Sequence, residues 1–359
     1  GPPLGCTCKR YRILILILMK FMNAILPVVS RGLMGLLLAA GCMSCSTIFT
    51  DQTDCPRGVS LRFVYEHNME YANSFHSKVH CATVYVFDDE GRYVTTFEEA
   101  GDQLRDESWR MTFDLEPGDY TLVAYSGLAC ENSSFTPTSM GLSKASGSHI
   151  DDLAVSLDHE DSVSDKALHD LYYGNHGEPL RLTVEPDDYI EETINLMKNT
   201  NNIRILLQQM DGGQIAADDF TFTITDDNSF MDSDNNVVSK GQITYRPWTK
   251  GDTVVGVAED GHTPVSAAYA EFSTSRITTD TAPRLVVYSK EKERDIINIP
   301  LNTYLLLLKS QLYADMPAQE YLDRESEWTL AFFLDPGNRW INTYVIVNDW
   351  TIRLNDNEF

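Results

Sequence analysis

The sequence predicts an all-β protein built from two antiparallel β-sandwich domains with few short helices. Short runs of residues alternate between apolar and polar side chains and are rich in β-branched and aromatic residues. Gly, Pro, Asp and Asn residues separate these runs, as expected of strands joined by turns and not of βαβ units. The 318 residues that remain after removal of an N-terminal signal segment favour two domains.

The first strands follow one another closely. They are predicted at residues 59–65, 83–87, 93–97, 109–115 and 120–125. Asp88-Asp89-Glu90-Gly91 indicates the turn of a hairpin between the second and third strands. Glu116-Pro117-Gly118-Asp119 predicts a type II turn, because Gly at its third position accepts a positive φ. Residues 69–81 are less regular and fit a short helix or a crossover.

The first domain is predicted to end after a long loop region and one more strand. Residues 131–170 are rich in Ser, Asp and Gly and have weak apolar periodicity, which indicates a loop region. A strand is predicted at residues 180–184, and the domain boundary falls near Pro186. The predicted domains are therefore residues 55–185 and 186–359.

A second set of strands follows the boundary. It is predicted at residues 202–208, 220–225, 267–277, 284–288, 295–299, 328–334, 344–347 and 350–354. Phe220, Phe222 and Ile224 occupy one face of a strand that alternates without interruption. Residues 301–309 form a continuous apolar run that fits either a helix or a buried strand, because periodicity does not separate the two.

The N-terminal segment has the pattern of a bacterial lipoprotein signal. Lys20 and Arg31 precede the apolar run 32–40, which is too short to span a bilayer. Ala39-Ala40-Gly41-Cys42 closes that run with small residues, which leave room for a peptidase before Cys42. A buried N-terminal helix is the alternative, but polar residues are too few for an amphipathic face.

We therefore expect residues 1–41 to be removed and Cys42 to carry the lipid, such as palmitate, with residues 42–54 as a tether. Residues 1–18 are interpreted as sequence upstream of the true start at Met19. Cys45 is a second candidate for lipidation, although the preceding residues Cys42-Met43-Ser44 fit a peptidase cleavage site less well.

The expected mature chain is strongly acidic. The 41 residues expected to be removed contain five Lys and Arg and no acid, so 23 basic and 53 acidic residues remain, a formal net charge of −30. This balance excludes nucleic acid as a partner, because phosphates are bound by Lys and Arg. Anionic lipid head groups would repel such a chain, so a covalent lipid is the expected tether to a membrane.

Three cysteines are candidates for a disulfide in the exported chain. Cys45 lies in the tether, which leaves Cys55, Cys81 and Cys130. The sequence does not choose among their three possible pairings.

Two patterns resemble metal sites, but neither is complete. His76, His80 and Cys81 have a spacing that suits zinc on a helix, but no fourth ligand is identifiable. Residues 232–236 begin like a calcium loop, yet Val237 and Ile243 stand where the loop needs Gly and a bidentate Glu. We expect surface histidines and an acidic hairpin loop with local hydrogen bonds instead.

Signatures of enzymes are missing from the sequence. It contains no Gly-x-Ser-x-Gly elbow, Gly-rich phosphate loop or His-Glu-x-x-His motif. We therefore expect no catalytic residue, no cofactor and no metal.

Several stretches, taken in order, resemble one known family. They are Asp54-Cys-Pro56, Val59-Ser-Leu-Arg-Phe-Val-Tyr65, Ala82-Thr-Val-Tyr-Val-Phe-Asp88, Leu115-Glu-Pro-Gly-Asp-Tyr-Thr-Leu-Val-Ala-Tyr-Ser-Gly127, Lys198-Asn-Thr-Asn-Asn-Ile-Arg204, Ile224-Thr-Asp-Asp-Asn228, Tyr245-Arg-Pro-Trp248, Glu271-Phe-Ser-Thr-Ser-Arg276, Ile299-Pro-Leu301, Tyr321-Leu-Asp-Arg324, Phe332-Phe-Leu-Asp335, Trp340 and Asn348-Asp-Trp-Thr-Ile-Arg353. Together they resemble the fimbrillin-associated anchor lipoproteins of Gram-negative anaerobes, the major and minor fimbrium anchoring subunits.

The resemblance implies two tandem transthyretin-like β-sandwich domains and a lipid anchor in the outer membrane. It also implies a role at the base of a fimbrium, where the protein holds the shaft subunit to the cell and helps to limit fimbrial length. Fimbrial assembly adds an extended segment of one subunit to a sheet edge of another. The hypothesised contacts with the shaft are in the last two strands: Tyr344, Val345, Ile346, Val347, Trp350 and Ile352.

A surface lipoprotein that binds a glycan or a host protein is the alternative function. Clustered, solvent-facing Trp and Tyr side chains would favour that alternative. Buried side chains at Trp328, Trp340 and Trp350 would favour the structural role.

Overall fold

The computed structural model describes residues 57–138, 142–175, 179–186, 188–257, 264–307, 309, 313–347 and 350–355. Most of these residues are in strands, and the few helices are short. The predicted signal segment and tether lie outside the described residues, as do Cys42, Cys45 and Cys55.

The strands that begin before residue 199 include all those predicted for the first part of the chain. They are β1 (Gly58–His67), β2 (Cys81–Asp88), β3 (Tyr93–Ala100), β4 (Met111–Asp114), β5 (Gly118–Ser126), β6 (Phe135–Pro137), β7 (Ala154–Leu157), β8 (Val163–Ser164), β9 (Tyr172–Gly174), β10 (Leu180–Val184) and β11 (Tyr189–Lys198). A short helix, α1 (Phe75–Lys78), occupies the irregular segment between β1 and β2.

The later strands also match the predicted set. They are β12 (Thr200–Gln209), β13 (Phe220–Asp226), β14 (Phe230–Asp232), β15 (Ile243–Tyr245), β16 (Thr249–Val257), β17 (Pro264–Ser275), β18 (Arg284–Ser289), β19 (Arg294–Pro300), β20 (Glu327–Leu334), β21 (Trp340–Val347) and β22 (Trp350–Asn355). The apolar run after β19 is a helix, α2 (Leu301–Leu307), and α3 (Ala318–Arg324) precedes β20.

Two local predictions have different outcomes. The β2–β3 hairpin is confirmed, with Phe87 paired to Tyr93 across the predicted turn. The prediction of a type II turn at Glu116-Pro117-Gly118-Asp119 is wrong, because Gly118 has no positive φ and is the first residue of β5. The strands on either side of this segment are not hairpin partners: β4 pairs with β1, and β5 pairs with β2.

Close packing divides the described chain into two units. The smaller unit comprises residues 57–61, 111–119 and 183–192 except 187. In it, the start of β1 pairs with β4 from Gly58 opposite Asp114 to Leu61 opposite Met111. Thr183 Oγ1 donates a hydrogen bond to Asp119 Oδ1 over 2.5 Å, and the Tyr189 hydroxyl donates one to Asp114.

The larger unit holds the remaining described residues, and several sheets run through it. One sheet has the order β3-β2-β5-β9-β11-β1, and a second has the order β16-β17-β12-β20-β21-β22. A third has the order β19-β18-β13-β15-β8, and a fourth the order β14-β7-β6. Strands that precede residue 186 pair with strands that follow it: β7 pairs with β14, and β8 pairs with β15.

A continuous apolar core fills the larger unit. Phe220, Phe222 and Ile224 are each 1 % exposed, as the alternation of β13 predicts. The same cluster contains Tyr173 from β9 and Phe332 from β20, so residues far apart in sequence share one core. At about 25 cal/mol per Å² of buried apolar area, such a core is the main stabilising contribution to the fold.

One disulfide lies in the larger unit. Cys81 at the start of β2 is bonded to Cys130, and their Cα atoms are 5.5 Å apart. The structure therefore contains the Cys81–Cys130 pairing, one of the three that the sequence left open.

Candidate functional site

The last two strands lie at one edge of the six-stranded sheet. At the centre of that sheet β12 and β20 run parallel, with Asn202 opposite Glu327 at one end and Gln209 opposite Leu334 at the other. β21 pairs antiparallel with β20, and β22 pairs antiparallel with β21. Within the described part of the chain no strand pairs with the other side of β22. We call β21 and β22 the C-terminal edge.

The six predicted contact residues are brought together in the ladder of the C-terminal edge. Val345 lies opposite Ile352, and Val347 lies opposite Trp350. Tyr344 and Ile346 lie opposite Arg353 and Thr351 in the same ladder. The six residues are thus neighbours on two adjacent strands.

A rigid core supports the strand next to the C-terminal edge. Trp328 of β20 is 2 % exposed, and its indole N–H donates a hydrogen bond to Asn201 Oδ1 over 3.1 Å. Its ring meets that of Tyr321 edge to face, with centroids 5.8 Å apart. Burial raises the pKa of the Tyr321 hydroxyl above its usual value. Of the three tryptophans whose burial would favour the structural role, Trp328 is buried and Trp340 is half-buried, while the side chain of Trp350 lies outside the described part of the structure.

The entry into β21 is fixed by a second aromatic group. Trp340 is half-buried, and its ring lies 5.8 Å from Phe332 and 6.1 Å from Tyr304 of α2, measured between centroids. Such pairs contribute about 0.5–1.5 kcal/mol beyond the area that they bury. They hold the first residue of β21 against the core of the sheet.

The turn between β20 and β21 is closed by one carboxylate. Asp335 Oδ1 accepts hydrogen bonds from the backbone N–H of Arg339 at 2.8 Å and of Gly337 at 2.9 Å. Asp335 Oδ2 pairs with the Arg339 guanidinium at 2.6 Å. The bond from the Arg339 backbone is the largest cause that lowers the pKa of Asp335. The turn thus sets the register with which the C-terminal edge begins.

The histidine and cysteine pattern does not assemble as a zinc site. Helix α1 ends before His80, and Cys81 is held in the disulfide with Cys130, so no free thiolate is present there. His76 Nδ1 bonds the backbone oxygen of Leu104 at 2.7 Å. Throughout the described ranges, no group of three or more His, Cys, Asp or Glu side chains is placed to hold a metal ion.

The carboxylate of Asp232 in the acidic loop accepts local hydrogen bonds, as the sequence predicts. Asp232 Oδ1 accepts hydrogen bonds from the backbone N–H of Asp234 at 3.0 Å and of Asn236 at 2.8 Å. Asn235 adopts the left-handed conformation that such a turn needs, with φ of 64°. The loop is a hydrogen-bonded turn after β14.

The strand pairing that places the C-terminal edge is not visible in the sequence. The parallel pairing of β12 with β20 joins residues about 125 positions apart, and no local pattern indicates it. Strand β16, at the opposite edge of the same sheet, is not predicted from the sequence either. Its residues Val254 and Val255 are 63 % and 44 % exposed. A strand exposed on both faces lacks the alternation by which buried strands are found.

Comparison with known families decides what kind of protein carries this edge. The sequence profile of the fimbrillin-A associated anchor proteins Mfa1 and Mfa2 matches residues 52–356. The chain belongs to this family. A comparison with curated proteins finds no match.

Solved structures agree with the assignment to the anchor-protein family. A candidate adhesin of Bacteroides thetaiotaomicron is 48 % identical, with a TM-score of 0.78 over 85 % of this chain and 100 % of its own. A candidate polysaccharide-binding protein of the same organism is 28 % identical, with a TM-score of 0.71 over 85 % and 100 %. The fimbrial anchor protein Mfa2 of Porphyromonas gingivalis is 17 % identical and shares the fold, with a TM-score of 0.57 over 83 % and 99 %.

Membership of the anchor-protein family determines the class of function. The family is non-enzymatic and associated with fimbriae at the cell surface, and its partners are fimbrial subunits. The family resemblance inferred from the sequence motifs is confirmed. Among the described helices, none is long and apolar enough to cross a membrane.

Proposed function

We propose that this chain is a lipid-anchored anchoring subunit that holds a fimbrial shaft to the outer membrane and helps to limit its length. The lipid on Cys42 retains the N-terminus in the membrane, and residues 42–54 link it to the folded part. The C-terminal edge binds an extended segment of the shaft subunit as an added strand. The fold then consists of two transthyretin-like sandwiches, residues 55–185 and 186–359.

The position of β22 is the observation that supports strand addition. An edge strand offers unpaired backbone groups to another chain, and proteins normally protect such edges. The six residues of β22 span about 20 Å at 3.3 Å per residue. An antiparallel partner of that length makes about six backbone hydrogen bonds, since each hydrogen-bonded residue pair exchanges two. Tyr344, Val345, Ile346, Val347, Trp350 and Ile352 would form the contact.

The lipid end of the proposal depends on Cys42. A single acyl chain binds a membrane only marginally, whereas two or more give firm anchoring. The mature chain, with its formal charge of −30, would be repelled by an anionic surface. Retention of the fimbria therefore needs both ends of the protein, the lipid at one and the C-terminal edge at the other.

Deletion of residues 350–359 tests the strand contact. We expect fimbriae in the culture medium and longer released filaments, while the truncated protein stays in the membrane fraction. Deletion of residues 356–359 is the matched control, because it shortens the same terminus and leaves β22 complete. Fimbriae that remain attached to cells carrying the folded, truncated protein would contradict strand addition at this edge.

Replacement of Cys42 tests the lipid contact separately. Mass spectrometry of membrane-extracted protein should show an acylated N-terminus at Cys42. In the Cys42→Ala variant the acylation should be lost, and fimbriae should be shed with the protein still bound to their base. Cys45→Ala is the control and should leave the acylation unchanged. An N-terminus cut elsewhere, with fimbriae retained, would contradict the proposed anchor.

A further inference from the structure

An open cleft of about 770 Å³ lies on the outer face of the six-stranded sheet. This volume is within the range of roughly 300–1,000 Å³ that small-molecule sites occupy. Strands β12, β17 and β20 form its floor, with Asn202, Arg204, Glu271 and Glu327 directed into it. Trp248 stands at one wall, and Lys78, His80 and residues 167–170 complete the lining. All of these residues belong to the larger unit.

Trp248 is the unusual wall of the cleft. Its side chain is 43 % exposed, although tryptophan is highly buried on average. Its backbone N–H donates a hydrogen bond to the backbone carbonyl oxygen of Glu271 over 3.0 Å, which fixes the residue beside β17. Its indole N–H has no acceptor in the described portion of the chain. A flat apolar surface with a free donor at its edge therefore faces the cleft.

The floor of the cleft is a row of planar polar side chains. Arg204 Nε donates to Glu271 Oε1 over 2.9 Å, and Asn202 Nδ2 donates to Glu327 Oε1 over 2.9 Å. Beneath this row the alternate residues Ile203, Phe272 and Trp328 are at most 2 % exposed. The polar groups are therefore mounted on a packed core, and they present donors and acceptors side by side.

Two cations are paired with the three carboxylates that line the cleft. Glu271 is paired with Arg204, and Lys198, whose side chain is 7 % exposed, lies 3.1 Å from Asp170 and 3.4 Å from Glu327. The exposed Lys78 has no acidic partner in the described ranges. The cleft thus offers a cation that is free for a ligand, on a chain whose formal net charge is −25.

We propose that this cleft binds an oligosaccharide that contains an acidic sugar. One face of a sugar ring carries C–H groups that pack on the indole of Trp248. Its hydroxyls act both as donors and as acceptors, and so match the mixed row of Asn202, Arg204 and Glu271. The anionic group of the acidic sugar pairs with Lys78. A purely apolar ligand fits less well, because it would remove water from the polar floor and offer no hydrogen bonds in its place.

Calorimetric titration of the purified protein tests the proposal. The probes are a hexasaccharide of galacturonic acid and the neutral cellohexaose, each at up to millimolar concentration. We expect Trp248→Ala to weaken the binding of the galacturonic acid probe about tenfold, since the contact with the ring is lost. Lys78→Ala should weaken the binding of the galacturonic acid probe and leave any binding of cellohexaose unchanged. Added salt should likewise weaken the binding of the galacturonic acid probe alone.

Two further variants keep the test decisive. Met210→Ala removes a side chain that is 51 % exposed outside the cleft and should bind as the wild type does. Trp248→Phe retains an aromatic face and should recover part of the affinity if Trp248→Ala folds poorly. Absence of binding by both probes, or binding that is the same in wild type and in folded Trp248 variants, would overturn the proposal.

Discussion

Asp226 should make the folded protein less stable at neutral pH than at acidic pH. This carboxyl at the end of β13 is 4 % exposed, and burial is the largest cause that raises its pKa from 3.8 to about 6. Its oxygens accept hydrogen bonds from the Asp227 N–H at 2.9 Å and from Thr281 Oγ1 at 3.3 Å, and no cation is among these partners. The ionised form is therefore penalised in the fold.

The sign of the effect follows from proton linkage. Because the pKa is higher in the folded than in the unfolded state, the folded state holds the proton over the interval between the two values. The stability that this proton provides is complete below pH 3.8 and is lost as the pH rises through about 6. At 1.36 kcal/mol per pKa unit, ionisation costs about 3 kcal/mol at pH 7.5 and less than about 1 kcal/mol at pH 4.

The Asp226→Asn variant removes this proton without changing the shape of the side chain. We expect it to be more stable than wild type by about 2–3 kcal/mol at pH 7.5 and nearly equal to it at pH 4. Denaturant unfolding of both proteins at several pH values measures the difference. Subtracting the wild-type curve removes the general effect of the many other carboxylates. A difference that is independent of pH, or a variant less stable at pH 7.5, would refute this account of Asp226.

Two further changes probe the rest of the larger unit. Replacing both Cys81 and Cys130 with Ser should lower the free energy of unfolding by about 4 kcal/mol, because the disulfide closes a loop of 49 residues. Thermal unfolding of the wild type with and without reductant measures this effect, and equal midpoints would contradict it. Asp323→Ala should cost about 3 kcal/mol, because it leaves the Arg276 guanidinium, bound at 2.8 Å through two nitrogens, without its buried partner. Glu320→Ala, which breaks the more exposed pair with Arg324, should cost less than about 0.5 kcal/mol and serves as its control.

Strands with one buried face were predictable from the sequence. In β13 the residues alternate between core and surface, so the period of two is visible in the letters alone. β2 is buried at seven of its eight positions and was still found, because it is rich in β-branched and aromatic residues. Local composition was sufficient wherever burial gave a clear pattern.

The missed strands lack such a pattern. Residues 189–193 of β11 are partly exposed without a regular alternation, and its last residues are buried on both sides. β7 has only four residues inside a polar segment, so a loop was predicted there. Its pairing with β14 depends on residues more than seventy positions away, which a local pattern does not encode.

The candidate site was predictable only as far as local patterns reach. The last two strands and their apolar residues were predicted, but their place at a sheet edge follows from the pairing of β12 with β20. The exposure of Trp248 could not be predicted, since the strand that follows it has no buried face. In Tyr245-Arg-Pro-Trp248 the two aromatic residues look alike in sequence, yet Tyr245 is buried and Trp248 is not.

The parallel pairing of β12 with β20 has a consequence for when the protein can fold. The centre of the six-stranded sheet cannot form until the chain has been synthesised as far as Glu327, the partner of Asn202. Contacts so distant in sequence slow folding, because the chain loses the entropy of loop closure before the paired strands stabilise it. Until then β12 and β17 present an open strand and buried apolar side chains to neighbouring chains. A chain with this topology therefore exposes these groups to aggregation for longer during folding than a chain of adjacent hairpins would.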